Sequence, residues 1–383
     1  LIDVPENKVR LAMKGFLVTI TLFLFCMSDL FAQTWPNDKA NVWYDSQPWL
    51  VGCNYIPANA INELEMWQAD SFDESQIEKE LAWAESLGFN TLRVFLHDLL
   101  WLQDAKGFVK RIDTFLAICK KHHIRPMFVL FDSVWDPNPV LGKQRPPKPG
   151  VHNSGWVQSP GAAALIDEKQ YSRLKEYVVG VVNAFANDER ILAWDVWNEP
   201  DNLNTNNYSD PTNKLQLIEK LLPQAFSWAR LVKPIQPVTS GVWQINYDTF
   251  KKPTPIEAIQ LEQSDIITFH NYGDSAWFEK SVKLLKQYKR PILCTEYLAR
   301  GNKSLFETIM PIAKREKIGL YNWGFVAGKT QTDLPWDSWE KPYINGRRPA
   351  VWHHEIFHQD GKPYKKSEVD FIRKMIKTNS SPF

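Results

Sequence analysis

Residues 191–200 read ILAWDVWNEP, from Ile191 to Pro200. Seven apolar-rich residues run into a polar pair, Asn198-Glu199, and a proline then stops them. The run is too short for a stable helix and rich in branched and aromatic residues, so it reads as a buried strand. A 3.6-residue apolar repeat flanks it on both sides, over residues 170–186 and 214–231. A strand set between two helices is part of a βαβ unit. The alternation extends outward in both directions. Upstream lie strand-like runs at 49–55 (WLVGCNY), 91–97 (TLRVFLH) and 125–131 (RPMFVLF). Downstream lie a weaker one at 237–242, then 265–270 (DIITFH), 291–295 (PILCT) and 318–323 (IGLYNW). Helical patterns at 74–87, 109–123, 277–288, 305–314 and 367–375 separate or close them. Eight such units predict an α/β fold, a single (β/α)8 TIM barrel. No GxGxxG follows the first strand, which removes the usual reason to prefer an open dinucleotide-binding sheet.

Length and composition agree. A chain of 383 residues suits one barrel, typically about 250 residues but longer with insertions. A net charge of +1 gives no basic excess for nucleic acid and no charged block that reads as a tail. The 17 Trp are either core or sugar-stacking platforms, and position decides which. Met13-Lys14-Gly15, an apolar run from Phe16 to Cys26 and the small Ala32 near a plausible cut site read as a secretory signal. That run is short for a membrane span. The expectation is an upstream segment plus signal over 1–32, with the true start at Met13, and a catalytic barrel over 33–383. Export to the periplasm or the medium follows. Anchoring through Cys26 is the weaker alternative, because bulky Phe25 precedes it. Without Cys26, an odd set of Cys53, Cys119 and Cys294 makes no disulfide framework, and Cys53 and Cys294 read as small buried hydrophobes.

A barrel places chemistry at the C-terminal ends of its strands. Polar residues gather at those ends: Asn54-Tyr55, Arg93 with His97-Asp98, Asp132, Asn198-Glu199, His270 with Tyr272, Glu296-Tyr297 and Trp323. The opposite ends carry ordinary connectors, an asymmetry that a purely structural barrel has no use for. Asn54, His97, Asp98 and Asp132 stand as either substrate contacts or loop anchors.

The stretch Trp194-Asp195-Val196-Trp197-Asn198-Glu199-Pro200 on the fourth strand resembles the acid/base signature of glycoside hydrolase clan A. Thr295-Glu296 on the seventh strand resembles that clan's nucleophile position. Arg93, His270, Tyr272 and Trp323 match further marks, and the similarity spans nearly all of the chain after residue 32. It is greatest to the cellulases and β-mannanases of family 5. The resemblance implies a retaining β-glycosidase acting on plant-type β-mannan, β-glucan, xylan or galactan. Glu199 is then acid/base and Glu296 nucleophile, Asn198 grips the sugar 2-hydroxyl, and Trp323 forms the floor under the reacting ring. Arg93 and Tyr272 hold Glu296 ionised, and the Glu296 charge raises the pKa of Glu199. One departure stands out: those enzymes usually carry a His near the end of the third strand, where this chain has Phe131-Asp132. That leaves the sugar open.

The sequence offers two other readings. His354-Glu355-Ile356-Phe357-His358 satisfies HExxH, a zinc signature that works only on a continuous helix. Pro349 before it and Asp360-Gly361-Lys362-Pro363 after it leave too little room for one, so no metal and no cofactor is expected. A barrel that binds carbohydrate without cleaving it is the alternative, but a pure binder needs no paired carboxylates. The expected partner is an oligo- or polysaccharide, with no nucleic acid and no membrane span, and the protein is expected to act as a monomer. Trp194 and Trp228 read as core, whereas Trp135, Trp156, Trp336 and Trp339 fall in loops as possible platforms. Two long loops, about 133–165 after the third strand and from 323 to about 365 after the eighth, either wall off one end of a cleft or extend it.

Overall fold

The computed structural model describes residues 33–204, 207–245 and 252–377. The export segment expected within 1–32 lies outside these residues. Eight parallel strands are present: β1 Val51–Asn54, β2 Thr91–Phe95, β3 Arg125–Val129, β4 Ala193–Asp195, β5 Val238–Thr239, β6 Ile267–His270, β7 Ile292–Tyr297 and β8 Gly319–Asn322. They are ordered β5-β4-β3-β2-β1-β8-β7-β6. Between β5 and β6 the ladder thins to a bridge from Val242 to Phe269 and a 2.8 Å bond from Asp265 N–H to the Val238 carbonyl. These contacts curl the sheet into a (β/α)8 barrel.

The helices are α1 Asn37–Asp45, α2 Glu63–Trp67, α3 Glu74–Leu87, α4 Asp98–Lys121, α5 Ala162–Ile166, α6 Tyr171–Ala184, α7 Lys214–Arg230, α8 Pro255–Gln263, α9 Ser275–Leu285, α10 Phe306–Arg315 and α11 Lys366–Lys377. Eight of them (α3, α4 and α6 to α11) follow β1 to β8 in turn. Two starts differ from the sequence expectation. Helix α4 begins eleven residues early, at Asp98 instead of 109, because His97 caps it and a kink at Asp104 joins two helical pieces. Helix α8 was not expected, although Thr254 and Glu257 form a reciprocal capping box around Pro255. Its start signal was therefore legible. Its apolar repeat was too weak to draw attention.

Strand alternation divides the core. Along β2, Leu92 and Val94 point outward and join the cluster under the helices, with Phe115 of α4 and Phe128 of β3. Thr91, Arg93 and Phe95 point into the barrel. At its N-terminal mouth, Leu50, Met127, Leu192, Ile266, Leu293 and Tyr321 form an apolar layer against which Trp43 and Tyr44 of α1 pack. The floor is therefore sealed with side chains, and only the C-terminal mouth is left for a site. Cys53, Cys119 and Cys294 are buried free thiols. Among the described residues, no helix is long and apolar enough to cross a membrane.

Candidate active site

Arg93 is the hub of the C-terminal mouth. It has no solvent exposure, so each donor of its guanidinium needs an acceptor. Nε and Nη2 donate to Asp195 Oδ2 at 3.1 and 2.8 Å, and Nη2 also donates to Asn198 Oδ1 at 2.7 Å. Nη1 donates to Asn54 Oδ1 at 2.9 Å and to Glu296 Oε1 at 2.8 Å. One cation thereby fixes side chains from β1, β4 and β7 relative to each other.

Glu296 owes its aim to an irregularity in β7. Phe269 pairs with Cys294, but His270 pairs with Glu296, so Thr295 is an extra residue on that edge. A bulge of this kind re-aims the side chain that follows it. The Thr295 carbonyl is not orphaned, since Asn54 Nδ2 donates to it at 2.7 Å. Tyr272 Oη donates to the second oxygen of Glu296, Oε2, at 2.7 Å.

Glu199 sits at φ +42°, in the left-handed region that costs a residue with a Cβ on the order of 1–3 kcal/mol. The strain turns its carboxyl into the mouth. Oε1 lies 2.7 Å from His270 Nδ1, and Oε2 accepts from Asn202 Nδ2 at 2.6 Å. His270 Nδ1 is also 3.5 Å from Glu296 Oε2. Oxygens of Glu199 and Glu296 and a nitrogen of His270 all lie within 4.8 Å of one another.

Burial sets the protonation states. It pushes Glu199 up to about 7, against the pull of Asn202, Arg93 and Lys214. This corrects the expectation that the charge of Glu296 does the raising: loss of water is the leading cause. Burial also raises Glu296, aided by the nearby Glu199 charge and opposed by His270, Arg93 and Tyr272. Burial drives His270 down to about 4, so the imidazole is neutral near pH 7.

Of the residues singled out in the sequence, Glu199, Glu296, Asn198, Arg93, His270, Tyr272 and Trp323 converge on the mouth. Glu199, Glu296, Asn198, Tyr272 and Trp323 line a cavity of about 320 Å³. Asn54 stands behind them, holding Arg93 and the β7 bulge. His97 does not belong to the site. It is buried with no exposure, its Nδ1 caps α4 by accepting from Leu99 N–H, and it faces Asp98. Asp98 in turn pairs with Arg173 at 2.7 Å and accepts from Ser159. Both residues anchor a loop, because a helix that starts at residue 98 needs a cap at 97. Asp132, where a His was expected, lines the cavity and orients two neighbours. Oδ1 accepts from Asn198 Nδ2 at 2.8 Å, and Oδ2 from Trp156 Nε1 at 2.6 Å. Burial raises Asp132 to about 7.

Several site residues were missed. Asp195, the main partner of Arg93, lies inside the WDVWNEP stretch without having been assigned a role there. Asn202 follows Glu199 by three residues in the same turn. His152 and His354 meet in the cavity wall from two loops 202 residues apart, with ring centroids 5.4 Å apart, and no local signal marks such a pair. The HExxH stretch is not helical. His354 Nδ1 lies against the Leu298 carbonyl and His358 packs on Trp352, so the two imidazoles do not converge. Trp135, Trp156 and Trp336 line the cavity, whereas Trp339 is not among its lining residues and stacks on Trp135. Trp194 and Trp228 are core.

No family model matches the chain, and no curated protein matches it in sequence. Solved structures do share its fold. GH5_18 from Streptomyces cattleya, in complex with GlcNAc, is 13% identical at TM-score 0.59, over 88% of this chain and 82% of that one. The exo-β-1,4-mannosidase Op5Man5 from Opitutaceae bacterium strain TAV5 is 20% identical at TM-score 0.58, over 87% of this chain and 60% of that one. The endo-β-1,4-mannanase of Thermotoga petrophila is 16% identical at TM-score 0.54, over 87% of this chain and 77% of that one. At these identities the likeness is one of architecture: the chain shares the (β/α)8 barrel of these structures.

Proposed function

We propose that this protein hydrolyses β-linked glycosides with retention, Glu199 serving as acid/base and Glu296 as nucleophile. The observation that carries the reading is the pair of buried carboxyls with oxygens within 4.8 Å. Retaining enzymes hold their carboxyls about 5–5.5 Å apart, whereas inverting ones leave about 6.5–9.5 Å for a water. In the first step Glu199 gives its proton to the glycosidic oxygen as the Glu296 carboxylate attacks the anomeric carbon. The C–O bond breaks and a glycosyl ester forms on Glu296. In the second, the Glu199 carboxylate takes a proton from water, whose oxygen displaces Glu296. Asn198, held at both ends by Arg93 and Asp132, keeps one amide N–H for a sugar hydroxyl, and Trp323 provides an apolar face for the ring. Proton NMR of the first-formed product is expected to show the substrate's own anomeric configuration, and an inverted first product rules the reading out.

The pH profile follows from the same groups. The active free enzyme has Glu199 protonated and Glu296 ionised, so kcat/KM is expected to fall as pH rises through about 7. Well above that point the loss approaches about tenfold per pH unit. A 2,4-dinitrophenyl glycoside needs no proton for its leaving group, and with it the basic limb of kcat/KM is expected to vanish. A limb that persists unchanged assigns the titration to another group.

Glu199, His270 and Glu296 are also spaced as a metal would require. The donors argue for proton chemistry instead. Glu296 already has Arg93 on one oxygen and Tyr272 on the other, and a second cation beside Arg93 meets its repulsion. Activity is therefore expected to survive exhaustive chelation, and a loss restored only by Zn²⁺ overturns the glutamate roles. The mannoside-directed names among the solved structures put β-1,4-mannosides first in the substrate panel, ahead of β-glucan, xylan and galactan. Residues 13–32 support export as part of this reading.

A further inference from the structure

We infer that the active-site pocket is blind beyond the reacting sugar, so that the protein removes single residues from the non-reducing end of a β-linked chain. The inference rests on the hydrolase reading above and concerns which part of the substrate the pocket admits.

Glu199 delivers its proton to the leaving oxygen, so the departing part of the substrate lies on the Glu199 side, toward Asn202, Leu203 and Trp243. The reacting ring lies over Glu296 and Trp323. A second sugar on its non-reducing side must continue past Trp323, and there the pocket stops. Trp156 meets Trp323 edge to face, with ring centroids 5.9 Å apart, and Phe95 packs edge-on to both at 5.1 and 5.9 Å. The same two indoles line a second hollow on their far side, bounded by Asn54, Ile56 and Phe325. That hollow holds about 20 Å³, room for about one water and not for a sugar ring. The catalytic cavity takes its walls from the ends of β3 to β8 and none from those of β1 and β2. A cleft that passes a polymer through needs two open ends across the barrel mouth. Here two indoles close one of them.

The closure is braced. Trp156 is 2% exposed, and its Nε1 is tied to Asp132. The loop that carries it is bonded to the loop after β8. Asn153 N–H donates to the Thr330 carbonyl at 2.7 Å, Tyr343 N–H to the Gly150 carbonyl at 2.8 Å, and His152 N–H to Ser338 Oγ at 3.0 Å. Trp135 stacks on Trp339 with centroids 5.1 Å apart and planes 14° from parallel. Opening a passage means breaking this seam as a unit. The cavity itself, about 320 Å³, lies at the bottom of the roughly 300–1,000 Å³ range of ligand pockets.

The test uses the whole protein with β-1,4-mannotetraose and cellotetraose labelled at the reducing end, alongside 4-nitrophenyl β-mannoside and β-glucoside. The expected first products are a monosaccharide and a labelled trisaccharide. Capping the non-reducing terminal residue with a bulky 4,6-O-ketal is expected to slow hydrolysis by about tenfold or more. Labelled mono- or disaccharide among the first products, or indifference to the cap, overturns the blind pocket while the hydrolase reading stands. No turnover of these substrates or of the matching xylo- and galacto-oligosaccharides and their 4-nitrophenyl glycosides overturns both. Trp156→Ala, checked for its fold by circular dichroism, is expected to accept the capped substrate. A folded variant that still rejects it overturns the role given to Trp156.

Discussion

Glu296→Ala is expected to lower turnover by on the order of 10⁵-fold on every glycoside, activated or not, because no other group supplies the attacking oxygen. Glu199→Ala is expected to part company with it. A dinitrophenyl glycoside leaves without protonation, so glycosylation of Glu296 stays comparatively fast. Water then lacks a base, the glycosyl ester accumulates, and a burst of dinitrophenol precedes a slow steady state. Azide attacks that ester without needing a base. In Glu199→Ala it is expected to restore turnover and yield a β-glycosyl azide of retained configuration. In Glu296→Ala the same anion enters the vacated space and reacts directly, giving the inverted azide. The two products differ by NMR, so each role is read from a stereocentre as well as a rate. Rescue of Glu199→Ala with inversion, or near wild-type activity in Glu296→Ala, refutes the assignment.

The barrel was legible because its signal is local and repeated. Each strand is a short apolar run, and most of the following helices show a 3.6 repeat, so the weak fifth strand was secured by its neighbours. What failed locally had two competing causes. At the start of α4, His97 looks like a site residue by its place after β2, but a helix cap has first claim on such a side chain. At α8 the cap was present and the apolar repeat was not. The paired glutamates were expected from the resemblance of the stretches around them to clan A motifs, whereas the β7 bulge and the left-handed backbone of Glu199 that aim them left no mark in the sequence. The wall was not legible either. It is built from Trp156 and from the Trp135–Trp339 and His152–His354 contacts, which join loops about 200 residues apart, and sequence spacing carries no trace of that meeting. The two loops could have walled the cleft or lengthened it, and the decision lies in long-range hydrogen bonds. The missing His has a similar answer. Asp132 is an acceptor for Asn198 and Trp156, a role that a neutral imidazole could fill for one partner at a time.

Arg93→Met is expected to cost about 3–5 kcal/mol of stability in chemical denaturation, since it strands the buried charges of Asp195 and Glu296. It also removes the link that aligns Asn198 with Glu296, so kcat/KM is expected to fall by on the order of 10² or more even in folded protein. The two losses have different origins and can be separated. Asp195 is fully buried and faces the barrel interior beneath the cavity, where it makes no part of the lining. Replacing it as well, in Arg93→Met/Asp195→Leu, exchanges a buried ion pair for apolar groups of similar size. Such exchanges are often neutral or stabilising, by about 1–4 kcal/mol. The double variant is therefore expected to recover much of the lost stability and none of the lost activity, because Glu296 still lacks its cation. If activity returns together with stability, Arg93 serves the fold alone, and the orientation of Glu296 must come from Tyr272 and the β7 bulge.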